Sequence, residues 1–216
     1  MRARAHGTGA APGQERGGAE VPARPDATHV TGTTDRRTVR IVDDGRVSPY
    51  RVMTVCTGNI CRSPMAEIVL RDRLEAAGLA DRVVVDSTGV SDEERGNPVD
   101  PRARRTLASH GYPAGDGHRA RQVTSADLGE RDLVLAMTSQ HARRLRSLAP
   151  NAPVRMFRSF DPAAPTVGLL DEHLIDVEDP WYGDQAGFET TIAEIEAAAD
   201  GIVEHVRAGL AAHTSA

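Results

Sequence analysis

Four short aliphatic segments, each followed by a stretch of helical pattern, constrain the fold of this 216-residue chain more than any other feature. The segments read RVMTV, RVVVDS, RDLVLAM and PVRMF. Strands of about four to six residues that alternate with helices of about ten or more are typical of βαβ units around a buried parallel sheet. The sequence therefore predicts a single, doubly wound α/β domain with a central four-stranded parallel sheet and helices on both faces.

The ends of the predicted helices carry their own signals. Ser63 and Asp100 each stand before a proline, which favours an N-cap followed by the first helical turn. Gly78 and Gly111 are expected to end these two helices. Near the C-terminus, apolar residues recur at steps of three and four: Phe188, Ile192, Ile195, Ala199, Ile202 and Val206. This spacing predicts a closing helix whose apolar stripe faces the core.

The first 48 residues differ in composition from the rest of the chain. They are rich in Gly, Pro, Ala, Thr and Arg and show almost no aliphatic periodicity. Such a segment cannot bury enough apolar surface to offset the entropy lost on ordering. We expect residues 1–48 to form a disordered N-terminal extension and residues 49–210 to form the folded domain.

Charge and composition narrow the classes of partner. A net charge of -5 at pH 7 gives no global basic field, so neither nucleic acid nor an anionic membrane is an expected partner. No apolar run approaches the roughly 18 to 20 residues that a membrane span needs. Two cysteines are a poor disulfide framework for a chain of this size, which favours reduced thiols and a cytoplasmic location.

Both cysteines lie in one stretch, VCTGNICRSPMAE, which joins the first predicted strand to a helix. Ligands of parallel α/β sheets collect at such junctions. Gly58 permits a tight turn, and successive N–H groups of the loop can form an anion-binding nest aided by the helix dipole. Arg62 offers a planar fork for two phosphoryl oxygens, whereas the ending of a Walker loop is absent. The predicted phosphate-binding loop comprises Cys56, Thr57, Gly58, Asn59, Ile60, Cys61, Arg62 and Ser63.

The same donors make Cys56 a candidate nucleophile. A cysteine at a helix N-terminus beside an arginine can have a pKa of about 3.5 to 7.5. The alternative is that a cysteine here is a small packing residue, and for Cys61 we favour that interpretation. The chain has no CxxC pair, and its eight histidines are scattered, so no metal site is expected.

The stretch VCTGNICRSPMAE resembles the C-x5-R-S signature of the low-molecular-weight protein tyrosine phosphatases. Further matches follow in the family's order: DSTGVSD, DPRARRTLASHGY, HRARQVT, RSFDP and VEDPWYGD. The resemblance covers roughly residues 50 to 208 and is far more specific than the C-x5-R core alone. It implies hydrolysis of phosphotyrosine monoesters through a phosphocysteine on Cys56, with Arg62 as the phosphate clamp and without a cofactor.

The resemblance also supplies the acid that the loop lacks. In DVEDPWYGD, Asp179 would protonate the leaving phenolate and then act as a base toward water. The proline that follows restrains Asp179, and Trp181 and Tyr182 would form a wall for an aromatic phosphoester. Asp176 and Glu178 are expected to be surface carboxylates.

Four further residues have supporting roles, which follow from their position in the loop for Ser63 and Asn59 and from the resemblance for His118 and Cys61. The Ser63 hydroxyl would hydrogen-bond the Cys56 thiolate and ease its departure. Asn59 would hold an unusual backbone conformation, and His118 would hydrogen-bond this asparagine. Cys61 could trap an oxidised Cys56 as a reversible disulfide.

One segment departs from the family pattern. Where many members carry an aromatic residue after the second strand, this chain reads SDEERG over residues 91–96. The loss of an aromatic wall and the gain of Glu93 and Glu94 should weaken the binding of acidic phosphopeptides and of hydrophobic rings.

Three alternatives remain open. An arginine phosphatase on the same fold is the closest, although members of that branch carry threonine where this chain has Ile60. An arsenate reductase would need further cysteines after Cys61. A non-catalytic binding module would have no need of Cys56, Arg62 and Asp179 together. The resemblance implies tyrosine-phosphorylated proteins as substrates, with a bacterial tyrosine kinase as a candidate partner, and we expect a monomer.

Overall fold

The computed structural model describes residues 48–214. The predicted disorder of residues 1–48 falls, apart from Ser48, outside the described residues and stays a prediction. The main elements are β1 (Tyr50–Cys56), α1 (Arg62–Ala76), β2 (Val83–Gly89), α2 (Pro101–Ser109), α3 (Ser125–Gly129), β3 (Leu133–Ala136), α4 (Ser139–Leu148), β4 (Val154–Met156) and α5 (Gln185–Thr214). Short 3₁₀ turns span Ala80–Arg82, Phe157–Phe160, Glu172–Ile175 and Pro180–Tyr182. Within residues 48–214, no helix combines the length and the hydropathy that crossing a bilayer requires.

The sheet has the strand order β2-β1-β3-β4, and all its pairs are parallel. The pairing of β1 with β2 runs from Tyr50 opposite Val83 to Cys56 opposite Gly89. The first crossover carries the chain to one side of β1 and the next carries it to the other side, where β3 pairs with β1. The switch point between β1 and β3 is where such sheets bind ligands. The predicted four-stranded parallel sheet is confirmed.

Alternate residues of β1 point to two separate hydrophobic clusters, one on each face of the sheet. Val52 and Cys56 pack with residues of α1, α2 and α5. Met53 and Val55 pack with residues of α3 and α4. The predicted stripe of the closing helix is buried throughout in the first cluster. Helices therefore cover both faces, as the sequence predicts.

The helix-end signals are correct in three cases out of four. Asp100 caps α2 by accepting a hydrogen bond from the backbone N–H of Arg102 at 2.7 Å, and Gly78 and Gly111 have φ values of 68° and 84°. The prediction that Ser63 is an N-cap is wrong. Helix α1 begins at Arg62 with Cys61 in the N-cap position, and the Ser63 hydroxyl turns inward because polar groups of the site engage it.

Candidate active site

The predicted phosphate-binding loop, residues 56–63, lies at the switch point, because Cys56 ends β1 and Arg62 begins α1. Backbone N–H groups of residues further along the chain hold it. Val90 donates to the carbonyl of Cys56 at 2.9 Å, and Asp100 donates to the carbonyl of Ile60 at 2.8 Å. The loop is therefore fixed by main-chain contacts that do not depend on side-chain identity.

Gly89, the last residue of β2, packs directly against this loop. A Cβ atom at this position would lie 2.4 Å from the carbonyl oxygen of Thr57 and 3.1 Å from the backbone nitrogen of Asn59. Both neighbours are backbone atoms, which cannot rotate away as a side chain can. Only glycine therefore allows the end of β2 to approach the loop this closely.

Asn59 is fully buried and has a φ of 60°, the left-handed conformation that asparagine tolerates better than most residues. Its Nδ2 donates to Ser63 Oγ at 3.0 Å and to Ser87 Oγ at 2.9 Å. Its Oδ1 accepts from the backbone N–H of Arg121 at 3.0 Å. His118 Nε2 lies 2.7 Å from the Asn59 carbonyl oxygen and must carry a proton there, because a carbonyl can only accept.

The sulfur of Cys56 is buried, and Ser63 Oγ lies 3.0 Å from it. The same hydroxyl is 3.1 Å from the carbonyl oxygen of Thr88. Ser63 has one hydroxyl proton, which can point either to Thr88 or to a Cys56 thiolate. Since Asn59 already donates to Ser63 Oγ, the hydroxyl is positioned to stabilise negative charge on the sulfur.

The Arg62 side chain is only 3% exposed and lines the pocket beside the loop. Its Nη1 donates to the carbonyl of Val177 at 3.3 Å, and its Nη2 donates to Thr57 Oγ1 at 3.3 Å and to Asp179 Oδ2. Among the described residues, its buried Nε has no hydrogen-bond partner. A buried donor of this kind is costly unless an acceptor reaches it, and a phosphoryl oxygen in the loop is one such acceptor.

The segment 176–183, here named the acid loop, brings Asp179 to Arg62 from 117 residues further along the chain. Asp179 caps the Pro180–Tyr182 turn, and its Oδ1 accepts from the backbone N–H of Trp181 at 3.1 Å. The Asp179 side chain is 43% exposed. Asp176 is not the surface carboxylate that the sequence predicts, because it is partly buried and accepts from the backbone N–H of Ser139 at 2.6 Å.

The two loops enclose a pocket of about 420 Å³. Its lining comprises Cys56, Thr57, Gly58, Ile60, Cys61, Arg62, Glu93, Glu94, Asp179, Trp181 and Tyr182. Of the predicted site residues, Asn59, Ser63 and His118 are absent from this lining and belong instead to the network behind Cys56. Within residues 48–214, no group of three or more His, Cys, Asp or Glu side chains is arranged to hold a metal ion.

Two buried titratable groups flank the loop. Burial, together with the Asp100 carboxyl and the Cys56 sulfur, raises the pKa of the Cys61 thiol far above its usual value. Burial and the charge of Arg62 lower the pKa of His141 to about 3, so this imidazole is neutral near pH 7. His141 Nε2 lies 3.0 Å from Thr57 Oγ1, on the side of the loop that faces α4.

Sequence analysis did not single out Gly89, Arg102 or His141. A glycine at the end of a predicted strand is a signal of close backbone approach and could have identified Gly89. No comparable signal marks His141, whose contact with Thr57 spans 84 residues. Arg102 lies in the segment DPRARRTLASHGY, but no local signal marks it, because its contacts with the acid loop span 79 and 81 residues.

The chain is similar to known proteins in sequence and in fold. A model of the family described as low molecular weight phosphotyrosine protein phosphatase matches residues 51–212. A low molecular weight protein-tyrosine-phosphatase of Streptomyces coelicolor is 47% identical over 162 residues, which cover 73% of this chain and 94% of the relative.

Two solved structures share the fold. A protein tyrosine phosphatase from Entamoeba histolytica, crystallised with Hepes in its active site, superposes with a TM-score of 0.67 at 28% identity and covers 74% of this chain and 98% of its own. The arginine phosphatase YwlE superposes with a TM-score of 0.61 at 28% identity and covers 73% of this chain and 95% of its own. The match of the family model and the identity to the curated relative together show that the chain belongs to the low molecular weight protein-tyrosine phosphatase family and is a phosphatase.

Proposed function

We propose that this phosphatase hydrolyses phosphotyrosine monoesters of proteins through a phosphocysteine intermediate on Cys56. The observation that carries the proposal is the meeting of three groups at one pocket. A buried sulfur, a buried guanidinium and a carboxylate from a distant loop line the same cavity. These are the nucleophile, the phosphate clamp and the acid that a covalent phosphoryl transfer requires.

In the first step, the Cys56 thiolate attacks phosphorus and the bond between phosphorus and the tyrosine oxygen breaks. Asp179 gives its proton to the leaving phenolate, so tyrosine departs neutral. The Arg62 guanidinium and the N–H groups of the loop bind the equatorial oxygens. The Ser63 hydroxyl lies 3.0 Å from the sulfur and stabilises the thiolate before the attack.

Binding of a phosphate dianion rearranges the contact between Arg62 and Asp179. Asp179 Oδ2 accepts from Arg62 Nη2, a donor that a phosphoryl oxygen would use. When the phosphate takes that donor, the Asp179 carboxyl leaves Arg62 and can turn toward the leaving oxygen. Substrate binding therefore prepares Asp179 to act as an acid.

The second step releases inorganic phosphate. Asp179, now a carboxylate, takes a proton from water as the water oxygen attacks the phosphorus of the phosphocysteine. The bond between phosphorus and sulfur breaks, and the Cys56 thiolate leaves with the Ser63 hydroxyl beside it. The cycle regenerates both groups, and every group that it uses is a side chain or a backbone amide of this chain.

The family membership implies phosphoprotein substrates. We extend this to tyrosine-phosphorylated proteins as substrates, with a bacterial tyrosine kinase as a candidate partner. We further propose that the phosphatase itself is a cytoplasmic monomer. Two cysteines are a poor disulfide framework for a chain of this size, which supports a reducing location.

Phosphoarginine is a second candidate substrate. Glu93 and Glu94 line the pocket and could pair with a guanidinium group. The related YwlE is an arginine phosphatase of similar fold. Against this, the bulky Ile60 lines the same pocket and limits the room near the phosphoester.

The test is to measure kcat/KM for a phosphotyrosine peptide and for a phosphoarginine peptide side by side. We expect phosphotyrosine to be preferred and Cys56→Ser to abolish turnover of both substrates. Asp179→Asn should lower kcat/KM for phosphotyrosine about 10²- to 10³-fold, because a phenol with a high pKa leaves poorly without an acid.

A preference for phosphoarginine would replace the proposed substrate and leave the mechanism in place. Measurable turnover by Cys56→Ser at a rate near that of the unchanged protein would refute the phosphocysteine intermediate. The intermediate itself can be trapped by rapid acid quench with labelled phosphotyrosine substrate. Asp179→Asn should both form it and hydrolyse it more slowly, because Asp179 serves both steps.

A further inference from the structure

We propose that Arg102, in the first turn of α2, is a positioning residue that sets the acid loop in register with the phosphate-binding loop. The inference rests on the proposed role of Asp179 as the acid. It concerns a residue outside the pocket lining, whose contacts run to both loops.

Toward the acid loop, Arg102 holds the middle and the C-terminal end of the turn that Asp179 caps. Its Nη1 donates to the carbonyl of Trp181 at 3.1 Å and to the carbonyl of Gly183 at 3.0 Å. The guanidinium carbon lies 5.6 Å from the centroid of the Trp181 ring and 4.8 Å from that of Phe188. Phe188 is fully buried in α5, so Arg102 connects an exposed turn to the core of the domain.

Toward the phosphate-binding loop, Arg102 acts through Asp100. Its Nε donates to Asp100 Oδ1 at 3.1 Å and its Nη2 donates to Oδ2 at 3.0 Å, a two-point pair that fixes the plane of the guanidinium. The backbone N–H of Asp100 in turn donates to the carbonyl of Ile60 at 2.8 Å. A continuous set of hydrogen bonds therefore runs from Ile60 through Asp100 and Arg102 to Trp181.

Arginine is suited to this position in a way that lysine is not. Two of its nitrogens are used by Asp100, and the third reaches both carbonyls of the turn. A lysine ammonium is a single point of charge and cannot hold a carboxylate in a fork while it reaches two carbonyls at a fixed angle.

Register matters because proton transfer is sensitive to distance. Asp179 must lie within hydrogen-bond reach of the leaving oxygen while Cys56 is in line with phosphorus on the opposite side. The Asp179 side chain is 43% exposed, so packing of its own atoms does little to fix it. The turn that follows Asp179 fixes it instead, and Arg102 fixes that turn.

The first test observes the acid loop directly, without reference to catalysis. Trp181 is the single tryptophan of the chain. Fluorescence from selective excitation of tryptophan therefore reports on this loop alone. We expect Arg102→Met to raise the acrylamide quenching constant of Trp181 and to shift its emission to longer wavelength. Arg104→Met is the matched control, because Arg104 lies on the same helix and pairs with Asp116 instead.

The second test separates the loss of the acid from a general loss of activity. Arg102→Met should lower kcat/KM about tenfold or more for phosphotyrosine and about threefold or less for an aryl phosphate whose phenol is acidic, since an acidic phenol leaves without proton transfer. Asp179→Asn should show the same leaving-group dependence in a stronger form. Arg102→Lys should fall between Arg102→Met and the unchanged protein. Asp100→Asn should show the same leaving-group dependence in a weaker form while it keeps the cap of α2.

Each outcome decides between the two proposals. Equal losses for both aryl phosphates in Arg102→Met, or unchanged Trp181 quenching, would overturn the positioning role, whatever Asp179→Asn does. If Asp179→Asn lowers kcat/KM equally for both aryl phosphates, Asp179 is not the general acid. The positioning role of Arg102 would then be decided by the fluorescence of Trp181 alone. If Arg102→Met fails to fold, Arg102→Lys carries both measurements.

Discussion

The phosphate-binding loop and the acid loop face the same pocket, but different kinds of contact hold them. Backbone hydrogen bonds from residues 90–100 and a buried network around Asn59 fix the phosphate-binding loop. The acid loop is more exposed, with Tyr182 at 95% and Trp181 at 39%, and charged side chains from α1, α2 and α5 reach it. The phosphate-binding loop is thus held along its length by the fold. The acid loop is anchored at its start by the backbone N–H of Val177 on the carbonyl of Met137 at 2.8 Å, and from Asp179 onward it is held mainly by individual side chains.

This difference suits the two tasks. The nucleophile and the oxyanion donors gain from rigidity, because donors that are already oriented need not reorganise during the reaction. The acid must exchange its contact with Arg62 for a contact with the leaving group, so it gains from a tether that fixes its loop and leaves its side chain free. We therefore expect mutations behind the phosphate-binding loop to affect stability and catalysis together, and mutations behind the acid loop to affect proton transfer selectively.

Among changes behind the phosphate-binding loop, replacement of Gly89 by alanine should lower kcat/KM the most. The new Cβ would lie 2.4 Å from the carbonyl oxygen of Thr57, so the loop or the end of β2 must move. A displacement of about 1 Å at a catalytic group can cost on the order of 100-fold in rate, and we expect a loss of kcat/KM of that size for every aryl phosphate regardless of its leaving group.

The control for this change is Gly129→Ala at the end of α3, where an added Cβ meets no atom within 4 Å. It should keep the kcat/KM of the unchanged protein. If Gly89→Ala instead shows the leaving-group dependence expected of Asp179→Asn, the assignment of rigidity to one loop and proton transfer to the other is wrong.

The sequence predicts the phosphate-binding loop far better than the acid loop. The reason is the sequence separation of the residues that are in contact. Cys56, Arg62 and the loop between them lie within one short motif, so the junction of a strand with a helix suffices to place them. Asp179 was assigned by resemblance alone, because its contact with Arg62 spans 117 residues.

The alternation of apolar segments predicts the sheet, the helices α1, α2, α4 and α5, and the stripe of α5 correctly, but it misses the short α3. What local pattern cannot give is the use of a side chain by a distant partner. Ser63 has the local signature of an N-cap, yet a tertiary contact with Cys56 determines its orientation. His141 and Arg102 are ordinary surface-helix residues by pattern, and only the packing of α4 and α2 against the two loops gives them a role.

His141, which lies beside the phosphate-binding loop, should have a smaller effect, and this effect is on the free energy of unfolding and depends on pH. The folded state keeps this imidazole neutral down to about pH 3, whereas in the unfolded chain it binds a proton below about pH 6.5. The unfolded state therefore binds more protons between these values, and the free energy of unfolding should fall as the pH is lowered through them, by up to about 1.4 kcal/mol per pH unit. Above about pH 6.5 this loss is absent.

Urea denaturation of the unchanged protein and of His141→Gln measures this contribution. The pH is varied from about 4 to about 8 in steps of roughly one unit. The variant should show a shallower decline of unfolding free energy below pH 6.5, the usual pKa of histidine. His173→Gln, which removes an exposed histidine, is the matched control. Parallel pH dependences for the unchanged protein and His141→Gln would contradict the burial of a neutral imidazole behind Thr57.

The smallest effect on kcat/KM should come from Glu93 and Glu94, which give one wall of the pocket a negative charge. Glu93 and Glu94 line the pocket together with the aromatic pair of the acid loop. Each carboxylate should disfavour an acidic residue beside the phosphotyrosine by about 0.5 to 1 kcal/mol, a repulsion that salt screens over about 8 Å at physiological ionic strength. Replacement of both by glutamine keeps an acceptor for the Asn97 amide, which bonds Glu94 at 2.7 Å, and removes the charge.

The double variant should raise kcat/KM for a phosphotyrosine peptide with acidic neighbours about fivefold to thirtyfold and lower it for a peptide with basic neighbours, through KM rather than kcat. The preference should shrink as salt is added, because the carboxylates are partly exposed. Asp92→Asn is the matched control, since Asp92 lies in the same segment but outside the pocket lining. An equal effect of Asp92→Asn would mean that the net charge of the domain, and not this wall of the pocket, selects the peptide.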